Sequence, residues 1–167
     1  MQGELVQQGG RWQLRFTRTL PHPQDKVWRA ITEPEHLQAW FPDRVVGEWR
    51  VGAPLKFLSE YGDHDGQVIA YEPPRLLEFR WGPDVIRLEL AGDARGSTLT
   101  LIDTIDELGK AARDAAGWDE CLLRLDHHLA GTTAPSPGER WKQVHPEYIE
   151  RFGPEASTIG PPAQVRN

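Results

Sequence analysis

The segment RTLPHPQDKVWRAITEPEHLQAWFPD, residues 18–43, decides the fold. It completes a strand over Arg11–Leu20, in which apolar and polar side chains alternate until two prolines end the pattern. Two short helices are predicted next, one over Pro23–Thr32 and one that begins at Pro34, each with a tryptophan on its apolar side. Together with a long amphipathic segment far downstream, this order indicates a sheet wrapped around one long helix. Such a shape commonly leaves a cavity between the two.

Six further strands are predicted between the second short helix and the long one. Turns rich in Gly, Pro and Asp separate them, so we expect antiparallel neighbours. The predicted ranges are Arg44–Arg50, Pro54–Glu60, Gly66–Glu72, Leu76–Trp81, Val85–Ala91 and Ser97–Ile105. The long helix is predicted over Lys110–Ala130, with an apolar stripe formed by Ala111, Ala115, Trp118, Leu122, Leu125 and Leu129. The fold class is therefore α+β, with a curved antiparallel sheet of about seven strands.

The chain of 167 residues suits one domain with a core of ordinary size. We place that domain over residues 11–131. Residues 132–138 are rich in Pro, Ser and Thr and are predicted to be a linker, followed by a short helix over about 139–152. The proline-containing tail after it is predicted to be disordered.

Charge and composition exclude several partners. A net charge of −6 and a pI near 5.5 argue against nucleic acid and against anionic membranes, because both need a basic surface. No apolar run approaches the roughly 20 residues that span a bilayer, and the first residues lack the pattern of a secretory signal. We therefore expect a cytoplasmic protein. The single cysteine, Cys121, excludes an internal disulfide and is expected to be a buried, unreactive thiol.

Four segments, in order, resemble one protein family. They are RTLPHPQDKVWRAITEPEHLQAWF, PPRLLEFRW at residues 73–81, GSTLTLIDT at residues 96–104 and GWDECLLRLDHHLAG at residues 117–131. This run resembles the Hsp90-ATPase-activator-homologue-like proteins of the START/Bet v 1-like (SRPBCC) superfamily. The resemblance implies a helix-grip fold. Members of the superfamily bind lipids, steroids or polyketides, or act as cyclases or hydrolases, and the family takes its name from an Hsp90 co-chaperone.

The apolar stripe of the long helix begins with two alanines, which leave space opposite a curved sheet. That space is either a ligand pocket or a core filled by aromatic side chains of the sheet. Trp40 and Phe41 at the entrance, Phe57, Phe79 and Trp81 on the sheet, and Trp118 and Leu122 on the helix are the candidate lining residues. As a set they suit a flat, mostly apolar molecule. Gly117, inside the helix, indicates a close approach or a bend.

Asp103 is the candidate polar residue of the pocket, since it shares a strand face with Leu99 and Leu101. A carboxylate there would raise its pKa or find a cation, and Arg18 on the neighbouring strand is the candidate partner. Two interpretations stay open. Asp103 and Arg18 orient a ligand, with Asp103 as an acid or base in an enzyme, or they form a structural ion pair.

No cofactor and no metal site are predicted. The Asp63–Gly66 segment is interpreted as a turn rather than a calcium loop, and the histidines show no ligand spacing. Nucleophile and nucleotide motifs are absent from the sequence. The leading hypothesis is binding of a small apolar or aromatic molecule by a monomer or homodimer. The alternatives are a cyclase- or hydrolase-type enzyme that uses Asp103, and a protein-interaction module related to the Hsp90 co-chaperone.

Overall fold

Eight antiparallel strands form one sheet in the computed structural model, which describes residues 3–161. The strands are β1 Glu4–Gln8, β2 Arg11–Leu20, β3 Arg44–Gly47, β4 Pro54–Leu58, β5 His64–Glu72, β6 Leu76–Trp81, β7 Asp84–Gly92 and β8 Ser97–Ile105. Across the sheet their order is β1-β2-β8-β7-β6-β5-β4-β3, so β8 returns to pair with β2. The predicted α+β class is confirmed.

Four α-helices complete the described part of the chain: α1 Gln24–Thr32, α2 Pro34–Trp40, α3 Ala111–Ala130 and α4 Glu139–Phe152. Pro34 opens α2, where its missing N–H would have no partner in any case. Gly131 ends α3 with a φ of 72°, a left-handed conformation that glycine adopts without strain. Short 3₁₀ turns cover Leu108–Lys110 and Pro154–Ser157.

The apolar stripe of α3 lies against the sheet as the sequence predicted. Its six members, Ala111, Ala115, Trp118, Leu122, Leu125 and Leu129, are all buried. They belong to the same core as the inward residues of the central strands, among them Leu14, Phe16, Leu88 and Leu101. The helix-grip arrangement is therefore confirmed.

The sequence predicts a sheet of about seven strands, and the structure has one more, the first strand β1. It pairs with β2 through a tight turn at Gly9 and Gly10, both of which have positive φ. A two-glycine turn between extended segments is a hairpin signal. The segment escaped prediction because Leu5 and Val6 are adjacent, and no apolar alternation marks the strand.

The turn predicted at Asp63–Gly66 lies a few residues earlier. The amide of Gly62 donates to the carbonyl of Ser59 (3.2 Å), and His64 already pairs with Phe57 in the neighbouring strand. β3 ends at Gly47 rather than at Arg50. The ends of these strands depend on hydrogen bonding to the neighbouring strands. The local sequence pattern carries no information on that pairing.

Helix α4 packs on α3 through a polar contact that reaches the N-terminus. The hydroxyl of Tyr148 donates to Asp119 of α3 (2.8 Å) and accepts the amide of Gly3 (2.8 Å). Arg140 donates from Nε to the other oxygen of Asp119 (2.9 Å). Gly3 and helix α4 are thereby both joined to Asp119, in the middle of α3.

The tail after α4 contacts the rest of the domain in the part that the structure describes. Ala156 is buried, and the amide of Ile159 donates to the carbonyl of Gly109 (3.0 Å). These contacts fix residues 154–161 against the turn that precedes α3. Residues 162–167, the rest of the predicted tail, lie outside the described residues. None of the helices within residues 3–161 combines the length and the apolar character that crossing a bilayer requires.

Tyr148→Phe should lower the free energy of unfolding by about 1–3 kcal/mol, because it removes two hydrogen bonds and leaves buried polar atoms without a partner. Urea denaturation followed by circular dichroism measures the change. Tyr71→Phe is the matched control, since Tyr71 is only half-buried and packs on Trp28 through its ring. Equal effects of the two substitutions would contradict this account of the α4 contact.

Candidate functional site

Five aromatic rings fill the middle of the space between the sheet and α3. Phe41, which follows α2, is their common neighbour, with ring centroids 6.2 Å from Phe57, 6.1 Å from Phe79, 5.8 Å from Trp81 and 5.8 Å from Trp118. Trp81 and Trp118 are themselves 5.4 Å apart. We call these five residues the ring cluster.

Two hydrogen bonds position Phe41 at the end of α2. Its amide donates to the carbonyl of Leu37 (2.8 Å), which caps the helix. The neighbouring Trp40 is buried and donates its indole N–H to the carbonyl of Ala30 in α1 (2.9 Å). The end of α2 is thereby fixed to α1, and the Phe41 ring is directed into the core.

The ring cluster corrects the expectation of a hollow at the centre. Phe57, Phe79 and Leu122 are 0%, 2% and 1% exposed and belong to the packed core. Trp81, Trp118 and Phe41 pack in the ring cluster and also border open space. Open space lies at one end of the sheet–helix interface.

An open cleft of about 380 Å³ lies between α3, the end of β6, the turn after β4 and α4. Three tryptophans contribute to its walls, and we call it the tryptophan cleft. Its lining residues are Pro42, Asp43, Ser59, Tyr61, His64, Trp81, Arg113, Asp114, Gly117, Trp118, Cys121 and Trp141. A groove of about 530 Å³ continues from it past Trp40, Phe41 and Arg124 and shares Tyr61, Gly117 and Trp141.

The indole N–H of each tryptophan in the cleft has a hydrogen-bond partner. Trp81 donates to Asp43 (2.7 Å), Trp118 donates to Asp103 (2.9 Å), and Trp141 donates to the carbonyl of Arg113 (3.1 Å). A buried indole N–H without a partner would be costly. These bonds fix the orientation of three rings that come from a strand and two helices.

Gly117 leaves the floor of the cleft open. A Cβ placed on it would meet no atom within 4 Å outside its immediate neighbours. A close approach, one of the two explanations expected from the sequence, therefore does not account for this glycine. In the middle of α3 it costs about 1 kcal/mol relative to alanine, and it adds space to the cleft.

Asp43 is the buried acid of the cleft wall. Burial raises the pKa of its carboxyl group, and the hydrogen bond from Trp81 opposes that rise. Arg113 and Asp114 of α3 also line the cleft, and Arg113 donates from Nε to Asp114 (2.8 Å). A ligand in the cleft would therefore meet apolar rings together with two carboxyl groups and one guanidinium group.

Cys121 also lines the cleft. The side chain is buried, and burial raises its pKa to about 12. The thiolate, which is the nucleophilic form, is therefore scarce at neutral pH.

Asp103 lies behind the cleft and is not exposed to it. Its side chain is 0% exposed, one carboxyl oxygen accepts the indole N–H of Trp118, and the other has no ordinary hydrogen-bond donor. Burial, and then the neighbouring Asp84, raise the pKa of Asp103 well above its usual value. The protonated carboxyl group can donate to Asp84. Asp103 is not among the residues that line the cleft.

Within residues 3–161, one group of three carboxylates is close enough together to hold a metal ion. Ligand oxygens of Asp84, Asp103 and Asp114 lie within 4.8 Å of one another. The ammonium group of Lys110 already lies 2.6 Å from Asp84 and 2.7 Å from Asp106. Burial disfavours that charge, but the two carboxylates outweigh it and raise the pKa of Lys110. The ammonium thus supplies the positive charge that a cation would otherwise bring.

Arg18 does not pair with Asp103. In the register of β2 and β8, Arg18 lies opposite Leu99, whereas Asp103 lies opposite Leu14, four residues along the strand. The Arg18 guanidinium lies over the Phe16 ring, 5.7 Å from its centroid. The sequence identified the neighbouring strands but could not supply their register.

A family model described as "Activator of Hsp90 ATPase homolog 1-like protein" matches residues 21–130. The chain belongs to this family. The match confirms the resemblance seen in the sequence, and it runs from the start of the α1 region to the end of α3. Trp141 and the rest of α4 lie beyond it.

Solved structures share the fold. EF2215 from Enterococcus faecalis, a conserved protein of unknown function, has a TM-score of 0.77 at 19% identity, with 90% of each chain covered. CalU16 from Micromonospora echinospora gives 0.70 at 23% identity over 90% of this chain and 92% of its own. DynU16, a protein in the dynemicin biosynthetic locus, gives 0.63 at 30% identity over 71% of this chain and 47% of its own. A comparison with curated proteins found no match.

Of the nine predicted site residues, four border the open space in this family member. Trp81 and Trp118 line the tryptophan cleft, and Trp40 and Phe41 line the adjoining groove. Sequence reasoning missed Tyr61, Trp141, Asp43 and Arg113. Trp141 carried a signal, because a large aromatic residue on an amphipathic helix after the domain must pack somewhere.

Asp103→Asn should be at least as stable as the wild-type protein at pH 7, because the amide can reproduce both hydrogen bonds of the protonated acid. The folded-state pKa of Asp103 lies above its ordinary value of 3.8, so the folded protein holds this proton more tightly than the unfolded chain. Wild-type stability therefore falls as pH rises above about 4, towards the folded-state pKa. The asparagine does not titrate.

Urea denaturation at pH 4, 5.5 and 7 measures this difference. The free energy of unfolding of the variant, minus that of the wild-type protein, should grow with pH. A variant that is destabilised by the same amount at all three pH values would show that Asp103 is ionised in the folded protein.

Proposed function

We propose that this protein binds a small apolar or aromatic molecule in the tryptophan cleft, and that it does so in the cytoplasm. The observation that carries the proposal is the set of three tryptophans whose N–H groups are bonded to the protein. Because those polar atoms are already satisfied, the partly exposed rings of Trp81 and Trp141 offer apolar surface to a ligand at little cost in ordering, whereas Trp118 is 2% exposed and contributes little area. Preorganised aromatic surface of this kind favours flat partners.

The size of the cleft fits such a ligand. A volume of about 380 Å³ lies within the range of about 300–1,000 Å³ that is typical of small-molecule sites. Binding would draw on apolar burial of about 25 cal/mol per Å², reduced by the costs of association. The adjoining groove gives room for a longer substituent.

Asp43 and Arg113 would set the orientation of the ligand. The buried Asp43 carboxyl group offers a partner to a hydroxyl or amine, and the Arg113 guanidinium offers donors on the opposite side. We therefore assign to Asp43 and Arg113 the polar role that the sequence had suggested for Asp103 and Arg18. Specificity would come from these few polar groups, as in other apolar sites.

The relatives agree with small-molecule binding in a limited way. DynU16 is a protein in a biosynthetic locus, and biosynthetic loci supply small organic molecules that need binding or modification. The other neighbours share the fold and add nothing on a ligand.

The two alternatives from the sequence have weaker support. An enzyme that uses Asp103 would need Trp118 to move before the carboxyl group could meet a substrate. An Hsp90-related role is supported by the family description alone.

Gly117→Leu should fill the cleft and weaken binding of 1-anilinonaphthalene-8-sulfonate, a fluorescent probe of apolar sites, at least tenfold. Leucine suits a helix better than glycine and its Cβ meets open space, so the variant should fold. Fluorescence titration gives the dissociation constant.

Gly117→Ala is the matched control. It should raise the free energy of unfolding by about 1 kcal/mol, through helix propensity, and leave probe binding within twofold. Unchanged binding by Gly117→Leu would place the probe elsewhere and contradict the proposal.

A further inference from the structure

His36 and His128 meet although they are 92 positions apart in the sequence. The Nδ1 of His36 lies 2.8 Å from the Nε2 of His128, and the two rings are inclined by 64°. His36 lies near the start of α2 and His128 in the last turn of α3, and both side chains are partly exposed. Only one of two neutral ring nitrogens in such a pair carries a hydrogen, so the other presents a lone pair.

Glu33 fixes which nitrogen of His36 presents that lone pair. Its carboxylate lies 3.4 Å from Nε2 of His36, on the far side of the ring from His128. A proton on Nε2, held by this carboxylate, leaves Nδ1 unprotonated and directed at His128. Histidines that bind metals commonly have a carboxylate behind the ring in this position.

We propose that His36 and His128 bind a divalent transition-metal ion of the class that prefers imidazole, such as zinc, nickel or copper. Nδ1 of His36 and Nε2 of His128 are the protein ligands, and water completes the coordination. Two bonds of about 2.0–2.1 Å at a tetrahedral angle hold their nitrogens about 3.3 Å apart, so the rings need to separate by about 0.5 Å. The His128 proton moves from Nε2 to its own Nδ1, and both rings remain neutral.

The surrounding charges allow a cation at this place. The carboxylate of Glu33 and the carbonyl end of α3 favour positive charge, and Lys26 opposes it. The Lys26 ammonium donates to the carbonyl of Leu129 (2.8 Å) and lies 3.4 Å from His22.

Such an ion would join α2, which lines the adjoining groove, to α3, which lines the cleft. α2 leads directly into Phe41, at the centre of the ring cluster, and α3 carries Gly117 and Trp118. A metal that binds the folded protein but not the unfolded chain also stabilises the fold by mass action. The inference does not depend on the proposed ligand, because the histidines lie outside the tryptophan cleft.

Isothermal titration of the tag-free full chain with Zn²⁺ tests the proposal. The wild-type protein should show one saturable site and a higher melting temperature with Zn²⁺. His36→Gln and His128→Gln should each bind at least tenfold more weakly and lose the thermal shift. His127→Gln is the matched control, since His127 is adjacent in the sequence but bonds to Thr132 (2.7 Å), and it should bind like the wild-type protein.

Absence of saturable binding by the wild-type protein would overturn the proposal, and so would equal affinity in the His36 and His128 variants. Nitrogen-15 spectra of the histidine side chains test the site in the wild-type protein, without any variant. Zn²⁺ should shift the signals of His36 and His128 and leave that of His145 in place. Shifts confined to other histidines would mean that the ion binds elsewhere.

Discussion

The packing of Phe41 against four other aromatic side chains is the contact on which the interior depends. This ring comes from the end of α2, and its neighbours come from β4, β6 and α3. One side chain therefore joins α2, the sheet and α3. Burial of large aromatic surfaces is among the strongest stabilising terms in a core, and close packing leaves little room beside them. Because the ring cluster fills the centre, the cleft and the groove lie at its margin.

Polar groups behind and beside the ring cluster shape that margin. Asp103 and Asp43 carry carboxyl groups whose pKa values are raised, first of all by burial, and each accepts an indole N–H from a cleft tryptophan. Asp103 therefore acts on the cleft through Trp118, which it orients. Asp43 differs from Asp103, because it also lines the cleft.

The sequence predicted what local periodicity encodes and missed what depends on pairing across the chain. The ranges of β6 and β8 were predicted to the residue, because alternation and turn residues mark both ends of each. The number of strands was short by one, because β1 has no apolar alternation. The nine candidate site residues were chosen from apolar periodicity, which finds buried positions but cannot separate a packed ring from one that lines a cleft.

Register and long-range contacts explain the other differences. Arg18 and Asp103 lie on neighbouring strands, yet four residues of offset keep them apart. His36 and His128 show no ligand spacing in the sequence, because only the packing of α2 on α3 brings them together. Gly117 was recognised as unusual in a helix, but its role as the open floor of the cleft required the position of every neighbouring side chain.

Indole N–H signals in a proton–nitrogen spectrum test the central claim most directly, because the seven tryptophans report on different parts of the molecule. Addition of 1-anilinonaphthalene-8-sulfonate should shift the signals of Trp81, Trp118 and Trp141, which line the cleft, and leave those of Trp12, Trp28 and Trp49 in place. Shifts at Trp12, Trp28 or Trp49 with the three cleft signals unchanged would contradict a binding site at the margin of the ring cluster.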